Sequence, residues 1–352
     1  MSRHELINTA SVLAKRSTLR ARRNLHERFL TSQPLPAAID AERHAIATSN
    51  AGAISYYRDV SARGRPLLLL HGVHAAASAY EMRNLFEEFR GERPVYAVDL
   101  PGFGFSQRGG MAYDANVYVH AIADVLRHIA LDCPGERVDI VALSLSSEYA
   151  ARVAVELPDM LQSLTLLSPT GFDAQRQAHA SARKAPRAEA RRLWGALAEL
   201  GGELLFDVLV SRPSLGFYLR RSFAGHVDYD MLDYAYATSH QPGAHYAPLA
   251  FIRGELFPKG DPTRTYGEVK LPTLILYGDD PFTGFGALRG FLLRHTNYDA
   301  VRMPNTHGLP QIEACDRTVR ALRAFWDRIA AEEITEVTRR DQLGMRSTHY
   351  TH

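Results

Sequence analysis

Six short apolar runs constrain this chain more than anything else in it. They are RPLLLL (Arg65 to Leu70), RPVYAVDL (Arg93 to Leu100), RVDIVAL (Arg137 to Leu143), LQSLTLLS (Leu161 to Ser168), LPTLILYG (Leu271 to Gly278) and YDAVRMP (Tyr298 to Pro304). The first four are separated by segments such as YEMRNLFEEFR and NVYVHAIADVLRHIA, where apolar residues recur at helical spacing. A strand buried on both faces shows a continuous apolar run, so the alternation predicts an α/β fold with a mostly parallel, doubly wound sheet. Ahead of the first run, ERHAIATSNAGAISYYRD reads as two strands joined at Asn50-Ala51-Gly52, a hairpin.

Between Gly171 and Lys270 the alternation stops and a long stretch of mainly helical pattern intervenes. It opens with the basic run DAQRQAHASARKAPRAEARR and later becomes rich in rings. Emerging from strand ends on the ligand side of such a sheet, it would cap the crevice. The expected organisation is a basic helical extension over 1–40, a core over 41–170 and 271–335, a helical cap over 171–270, and a polar, frayed tail over 336–352.

Charge and cysteine content narrow the partners. Against 39 Asp+Glu the chain of 352 residues carries 41 Lys+Arg, a formal charge of +2, so nothing draws it as a whole to nucleic acid and a small molecule is the default partner. Cys133 and Cys315 stand far apart and in no metal-ligand spacing, which favours reduced thiols and a cytoplasmic setting. No run reaches the length of a signal-peptide core or a transmembrane helix. The stretch KRSTLRARR near the N-terminus is read as a helix with a solvated basic face, in preference to one lying on a membrane or a transit sequence; Glu5 and Glu27 weaken the latter. The sequence sets no oligomeric state.

The chemistry centres on VALSLSSEYAARV, Val141 to Val153, where an apolar strand pattern gives way to a helical one across three serines. A nucleophile on a tight strand-to-helix turn needs small residues two positions before and after it. Ser144 has Ala142 and Ser146 there; Ser146 has Glu148 two positions on, and Ser147 is flanked by Leu145 and Tyr149. Ser144 is therefore the candidate, in an Ala-x-Ser-x-Ser form of the usual Gly-x-Ser-x-Gly. A serine hydroxyl needs an imidazole to take its proton and a carboxylate to hold that imidazole. Asp279 and Asp280 follow the fifth run, and His307 follows the sixth, giving the order serine, acid, histidine.

That order, together with LLLLHGVHAAASAY and DLPGFGFS, resembles the α/β-hydrolase fold superfamily in its cap-bearing serine hydrolase branch, from Glu42 to Ile329. The resemblance implies an oxyanion hole from the backbone N–H groups of Val73, after His71-Gly72, and of Leu145. It places the acid three residues beyond the strand's closing glycine, where this chain has Pro281; a loop shorter by one residue assigns Asp280, with Asp279 the alternative. Ser146 stands where glycine is usual. Aspartate is absent at the nucleophile position, against the dehalogenase and epoxide-hydrolase members. Asp99 and the Gly102 and Gly104 turn resemble a packing loop of the family. His74 and the cap residues Tyr234, Tyr236, His240, His245 and Tyr246 are candidates to line the pocket, though rings at helical spacing also serve as packing core.

The expected function is hydrolysis of a carboxylic ester or related acyl bond on a small apolar molecule. Other chemistry on the same triad is the alternative: carbon-carbon bond hydrolysis, acyl transfer or cofactor-free halogenation, or ligand binding without turnover. No metal cluster, phosphate loop or dinucleotide fingerprint is present, so no cofactor is implied.

Overall fold

The computed structural model describes residues 34–109, 111–173 and 202–347, with side chains as far as 335. Most of the 1–40 extension and the basic opening of the cap lie outside the described residues. Eight strands, β1 (Glu42–Ala47), β2 (Ala53–Asp59), β3 (Leu67–Leu70), β4 (Val95–Val98), β5 (Val138–Leu143), β6 (Leu161–Leu167), β7 (Thr273–Tyr277) and β8 (Tyr298–Arg302), form one sheet. Its order is β1-β2-β4-β3-β5-β6-β7-β8. The β1–β2 hairpin and the β2–β4 pair are antiparallel and every later pair is parallel, as the apolar runs predict.

Helices α1 (Arg83–Phe89), α2 (Ala115–Asp132) and α3 (Ser146–Glu156) connect the early strands. Cap helices follow: α4 (202–209), α5 (Arg212–Ser222), α6 (Tyr229–Ser239), α7 (Tyr246–Arg253) and α8 (Pro262–Glu268). Then come α9 (Leu288–Leu292), α10 (Pro310–Glu313) and α11 (Cys315–Ser347). The frayed tail expected over 336–352 is corrected as far as Ser347, because α11 runs on to that residue. From Cys315 to Ser347 the sequence has no proline and a single glycine, Gly344, so nothing local stops the helix. No helix among the described residues is long and apolar enough to cross a membrane.

Alternation along the central strands builds two cores. Leu68, Leu70, Ile140 and Ala142 pack against Tyr118 of α2 and Tyr149 of α3. Leu67, Leu69, Val141 and Leu143 face Phe86 and Phe89 of α1 and Phe325 and Trp326 of α11. The winding reverses at β3, which has β4 on one side and β5 on the other, with Leu70 opposite Ala142. The loops leaving the carboxyl ends of β3 and β5 therefore diverge from neighbouring positions and open a crevice between them.

Asp99, at the end of β4, fastens this region. It is buried, and its two carboxylate oxygens accept from the N–H groups of Ala79 and Phe105, each at 2.9 Å. Burial raises its pKa, opposed by those two N–H groups and by His71. Gly104 lies against the carboxylate with φ +51°, and a Cβ there would stand 2.0 Å from it. Gly104→Ala should therefore lower unfolding stability by about 2–4 kcal/mol, from a left-handed alanine and an overpacked buried carboxylate combined, as measured by chemical denaturation.

Candidate active site

The three serines of the β5–α3 joint have three separate fates. Ser144 has φ +56°, a left-handed conformation that costs an L-residue roughly 1–2 kcal/mol. Its N–H donates to the Leu167 carbonyl of β6 at 2.8 Å, and its carbonyl accepts from Ser147 N–H at 3.1 Å. The turn is thus pinned on both sides. Ser146 is fully buried and donates its hydroxyl to the His71 carbonyl at 2.5 Å, while the Ser147 hydroxyl donates to the Ala142 carbonyl at 3.0 Å. Only the Ser144 side chain faces the cavity, a space of about 360 Å³ between sheet and cap.

Gly72, Val73 and His74, from the loop after β3, line that cavity beside Ser144. Leu145 directly precedes the first turn of α3, so the positive end of that helix lies beside its N–H, and Val73 lies on the cavity wall. The loop is held by Glu81, which sequence reasoning missed. This buried carboxylate accepts from Gly72 N–H at 2.8 Å and pairs with His74 Nε2. Burial pushes the Glu81 carboxyl up, but His74 and the Gly72 N–H outweigh it and hold its pKa below the ordinary value. Burial likewise pulls His74 down, and Glu81 more than restores it. A lone acid in the small and aromatic stretch AAASAYEM was the available signal.

Asp280 and Asp279 diverge. Asp279 forms a two-pronged exposed ion pair with Arg302, at 2.7 and 2.8 Å. Asp280 lines the cavity and accepts from Phe282 N–H at 2.7 Å. Its carboxylate packs against Gly308, where a Cβ would lie 3.1 Å from Oδ2. Burial raises its pKa, against the N–H groups of Phe282 and Thr283 and the charge of His307.

His307 sits beside the cavity while its neighbours Gly308 and Leu309 line it. Its Nδ1 lies 3.0 Å from the Arg221 carbonyl at the end of α5, and Gly308 N–H donates to the Ser222 carbonyl at 3.3 Å. Among the described residues no hydrogen bond joins His307 to Ser144 or to Asp280. The histidine loop is tethered by Glu313, also missed from sequence. One oxygen accepts from His307 N–H at 2.8 Å, and the other from Ala224 N–H of the cap at 2.6 Å.

The expectation that Tyr234, His245 and Tyr246 line the pocket needs correction. His74 does line it, but Tyr234, His245 and Tyr246 are not among its lining residues. Tyr234 is buried in a stack on Tyr80, with centroids 4.7 Å apart. His245 is buried and stacks near Tyr246 at 4.1 Å; Tyr246 packs against Gly109 and Gly243. Tyr236 and His240 stack on each other at 3.9 Å. Met231 and Ala235, four residues apart on α6, share the face turned to the cavity, which puts Tyr234 round the helix towards Tyr80. Aliphatic side chains such as Leu215, Leu219 and Ile252 do most of the lining.

With this geometry in place, comparison with known proteins decides the family. Residues 67–321 match the model of the alpha/beta hydrolase family. The chain belongs to that family. A 2-hydroxy-6-oxo-2,4-heptadienoate hydrolase of Pseudomonas putida is 33% identical over 115 residues, 32% of this chain and 40% of the relative. A 1-acylglycerol-3-phosphate O-acyltransferase ABHD5 of Rattus norvegicus is 32% identical over 111 residues, 30% of each chain. The matched stretches thus span well under half of these relatives. Among solved structures, a membrane phospholipase A described as a bacterial virulence factor superposes with a TM-score of 0.63 at 20% identity, over 94% of this chain and 99% of its own. That likeness speaks to the fold alone.

Ser146→Ala should leave the His71 carbonyl without its buried donor, lowering stability by about 1–2 kcal/mol in a denaturation experiment. Ser146→Thr, which keeps a hydroxyl but adds a methyl in a fully buried site, should not restore it.

Proposed function

We propose that the chain is a serine hydrolase that cleaves a carboxylic ester or related acyl bond of a small, largely apolar substrate. The observation that carries this reading is Ser144: a non-glycine residue held at φ +56°, opening onto an apolar cavity that Asp280 also lines. In this reading Ser144 Oγ attacks the acyl carbon and His307 takes its proton. The N–H groups of Val73 and Leu145 receive the developing oxyanion, a contribution typically worth a hundredfold or more per donor. His307 then protonates the leaving alcohol, and water activated by the same imidazole releases the acid and frees Ser144.

For this, the His307 ring has to exchange the Arg221 carbonyl for Asp280. The Asp280 carboxylate packs against Gly308, the next residue along, which puts it within the neighbourhood of that ring. Nδ1–H then donates to Asp280, and Nε2 faces Ser144.

A second reading, carbon-carbon bond hydrolysis on the same serine, draws on the Pseudomonas putida relative. The substrate in that protein's name is a carboxylate. Among the described residues the cavity lining contains no lysine or arginine to receive one, which favours a neutral ester.

A fluorophosphonate probe should label Ser144 in the wild type, and neither the Ser144→Ala nor the His307→Ala chain at a comparable rate, as mapped by peptide mass spectrometry. Absence of label on folded wild type would sink the proposal. On a short-chain p-nitrophenyl ester, Asp280→Asn should lower kcat/KM by a factor on the order of 10³–10⁴, whereas Asp279→Asn should change it only about two- to threefold at most. Burial raises the Asp280 pKa in the folded chain, so stability is lost as pH rises from the unfolded carboxyl's value, about 4, through the folded one. Asp280→Asn should therefore be at least as stable as wild type at pH 7, an outcome read from its thermal midpoint.

A further inference from the structure

The wall of the apolar cavity continues out into solvent. Phe217 and Tyr218 on α5, and Phe282 in the loop that carries Asp280, leave 51%, 45% and 53% of their surface exposed. The rings form one cluster. Phe217 and Tyr218 have centroids 5.6 Å apart, and Tyr218 and Phe282 6.5 Å apart. The Arg221 guanidinium stands 5.9 Å from the Phe217 ring and 5.9 Å from the Phe282 ring, and Arg220 beside it is exposed too. Arg212 at the other end of α5 is paired with Asp233, but among the described residues neither Arg220 nor Arg221 forms an ion pair. Tyr218 and Phe282 also line the cavity, so the exposed cluster and the cavity wall are one surface.

Three half-exposed rings contributed by two separate elements leave much apolar surface in water, and a contiguous patch of that kind marks a contact surface. Its composition selects the partner. Aromatic rings are at home at the headgroup level of a lipid layer, and arginines beside them are attracted to anionic phosphates there. Unpaired cations around the rings complement such a layer, whereas a neutral apolar partner would leave them desolvated and unmatched. We propose that the outer face of α5 and the Asp280 loop form a docking face for an anionic lipid surface, with the cavity mouth turned towards the acyl chains. An acyl ester leaving the layer would pass Tyr218 and Phe282 into the cavity without crossing water. That delivery rests on the acyl-cleaving reading of Ser144; the docking itself does not.

Sedimentation of the full chain with vesicles tests this, using phosphatidylcholine alone and phosphatidylcholine mixed with phosphatidylglycerol. Wild type should sediment with the anionic vesicles and far less with the neutral ones. Phe217→Ser combined with Phe282→Ser should weaken that binding about tenfold or more. Arg220→Glu combined with Arg221→Glu should weaken it at least about fivefold per arginine, with the residual binding less sensitive to salt. All four side chains are exposed, so circular dichroism should show an unchanged fold. Ser144→Ala should sediment like wild type, while probe labelling reports on the nucleophile separately, so failure of either reading is seen by itself. Wild type that stays in the supernatant overturns the proposal. Rim variants that bind as well as wild type also overturn it and move the contact elsewhere, to the basic KRSTLRARR stretch first. Concentration-dependent dimers abolished by Phe217→Ser would give the face to a second copy of the chain and overturn the lipid assignment.

Discussion

The site depends on the placement of a single strained residue between three strands. Ser144 can hold φ +56° because its N–H is bound by the end of β6 and the residues two positions either side of it are small and buried. That bond is made to a strand paired in register with β5, so part of the strain is carried by the sheet and not by the loop itself. The topology then does the rest. Since β3 lies beside β5 and the winding reverses there, the His71-Gly72-Val73 segment has to emerge next to the serine. The Ser146 hydroxyl closes this arrangement by joining α3 to the His71 carbonyl. In this chain the residue in the usual glycine position is therefore a fastening between the two halves of the crevice, with its hydroxyl turned away from the cavity.

Two buried or half-buried carboxylates extend the same logic outward. Glu81 gathers Gly72 N–H and His74, so the loop's peptide groups keep a fixed orientation beside Ser144. Glu313 gathers His307 N–H with one oxygen and Ala224 N–H with the other. In the proposed reaction the first carboxylate would serve the region where negative charge develops, and the second ties the His307 loop to the cap. Neither lines the cavity. Both act by removing freedom from backbone that would otherwise sample several conformations.

The core of this organisation could be read from sequence because its causes are local. Strands buried on both faces give apolar runs, the hairpin has its turn at Asn50-Ala51-Gly52, and the steric demand of a tight turn separates Ser144 from Ser146 and Ser147. The family resemblance, with a loop one residue shorter, prefers Asp280 to Asp279 as the acid; the structure puts Asp280 on the cavity wall and turns Asp279 outward to Arg302. What escaped has non-local causes. Tyr234 could be a lining or a packing residue by sequence, and it stacks on Tyr80, a residue far away in sequence that periodicity along α6 does not reveal. Glu81 and Glu313 look like ordinary surface acids until the loops they bind are folded around them. The orientation of His307 is decided by carbonyls at the end of α5, which sequence spacing does not reveal.

Helix α5 is consequently the element on which several properties converge. Its inner face supplies Leu215 and Leu219 to the cavity, its last carbonyls hold His307 and Gly308, and its outer face bears Phe217, Arg220 and Arg221. A rigid helix cannot move one of these faces without moving the others. A displacement of α5 would therefore shift its carbonyls against the histidine loop and its leucines in the cavity wall together. In the arrangement seen here the Arg221 carbonyl lies against Nδ1, the atom that Asp280 would take up in the proposed triad. A ligand or surface that binds better when α5 has withdrawn from His307 would shift the population towards the assembled triad by its difference in affinity, and by no more than that. In the proposed reaction the cap and the proton-carrying imidazole thus share one hydrogen bond, that between the Arg221 carbonyl and His307 Nδ1.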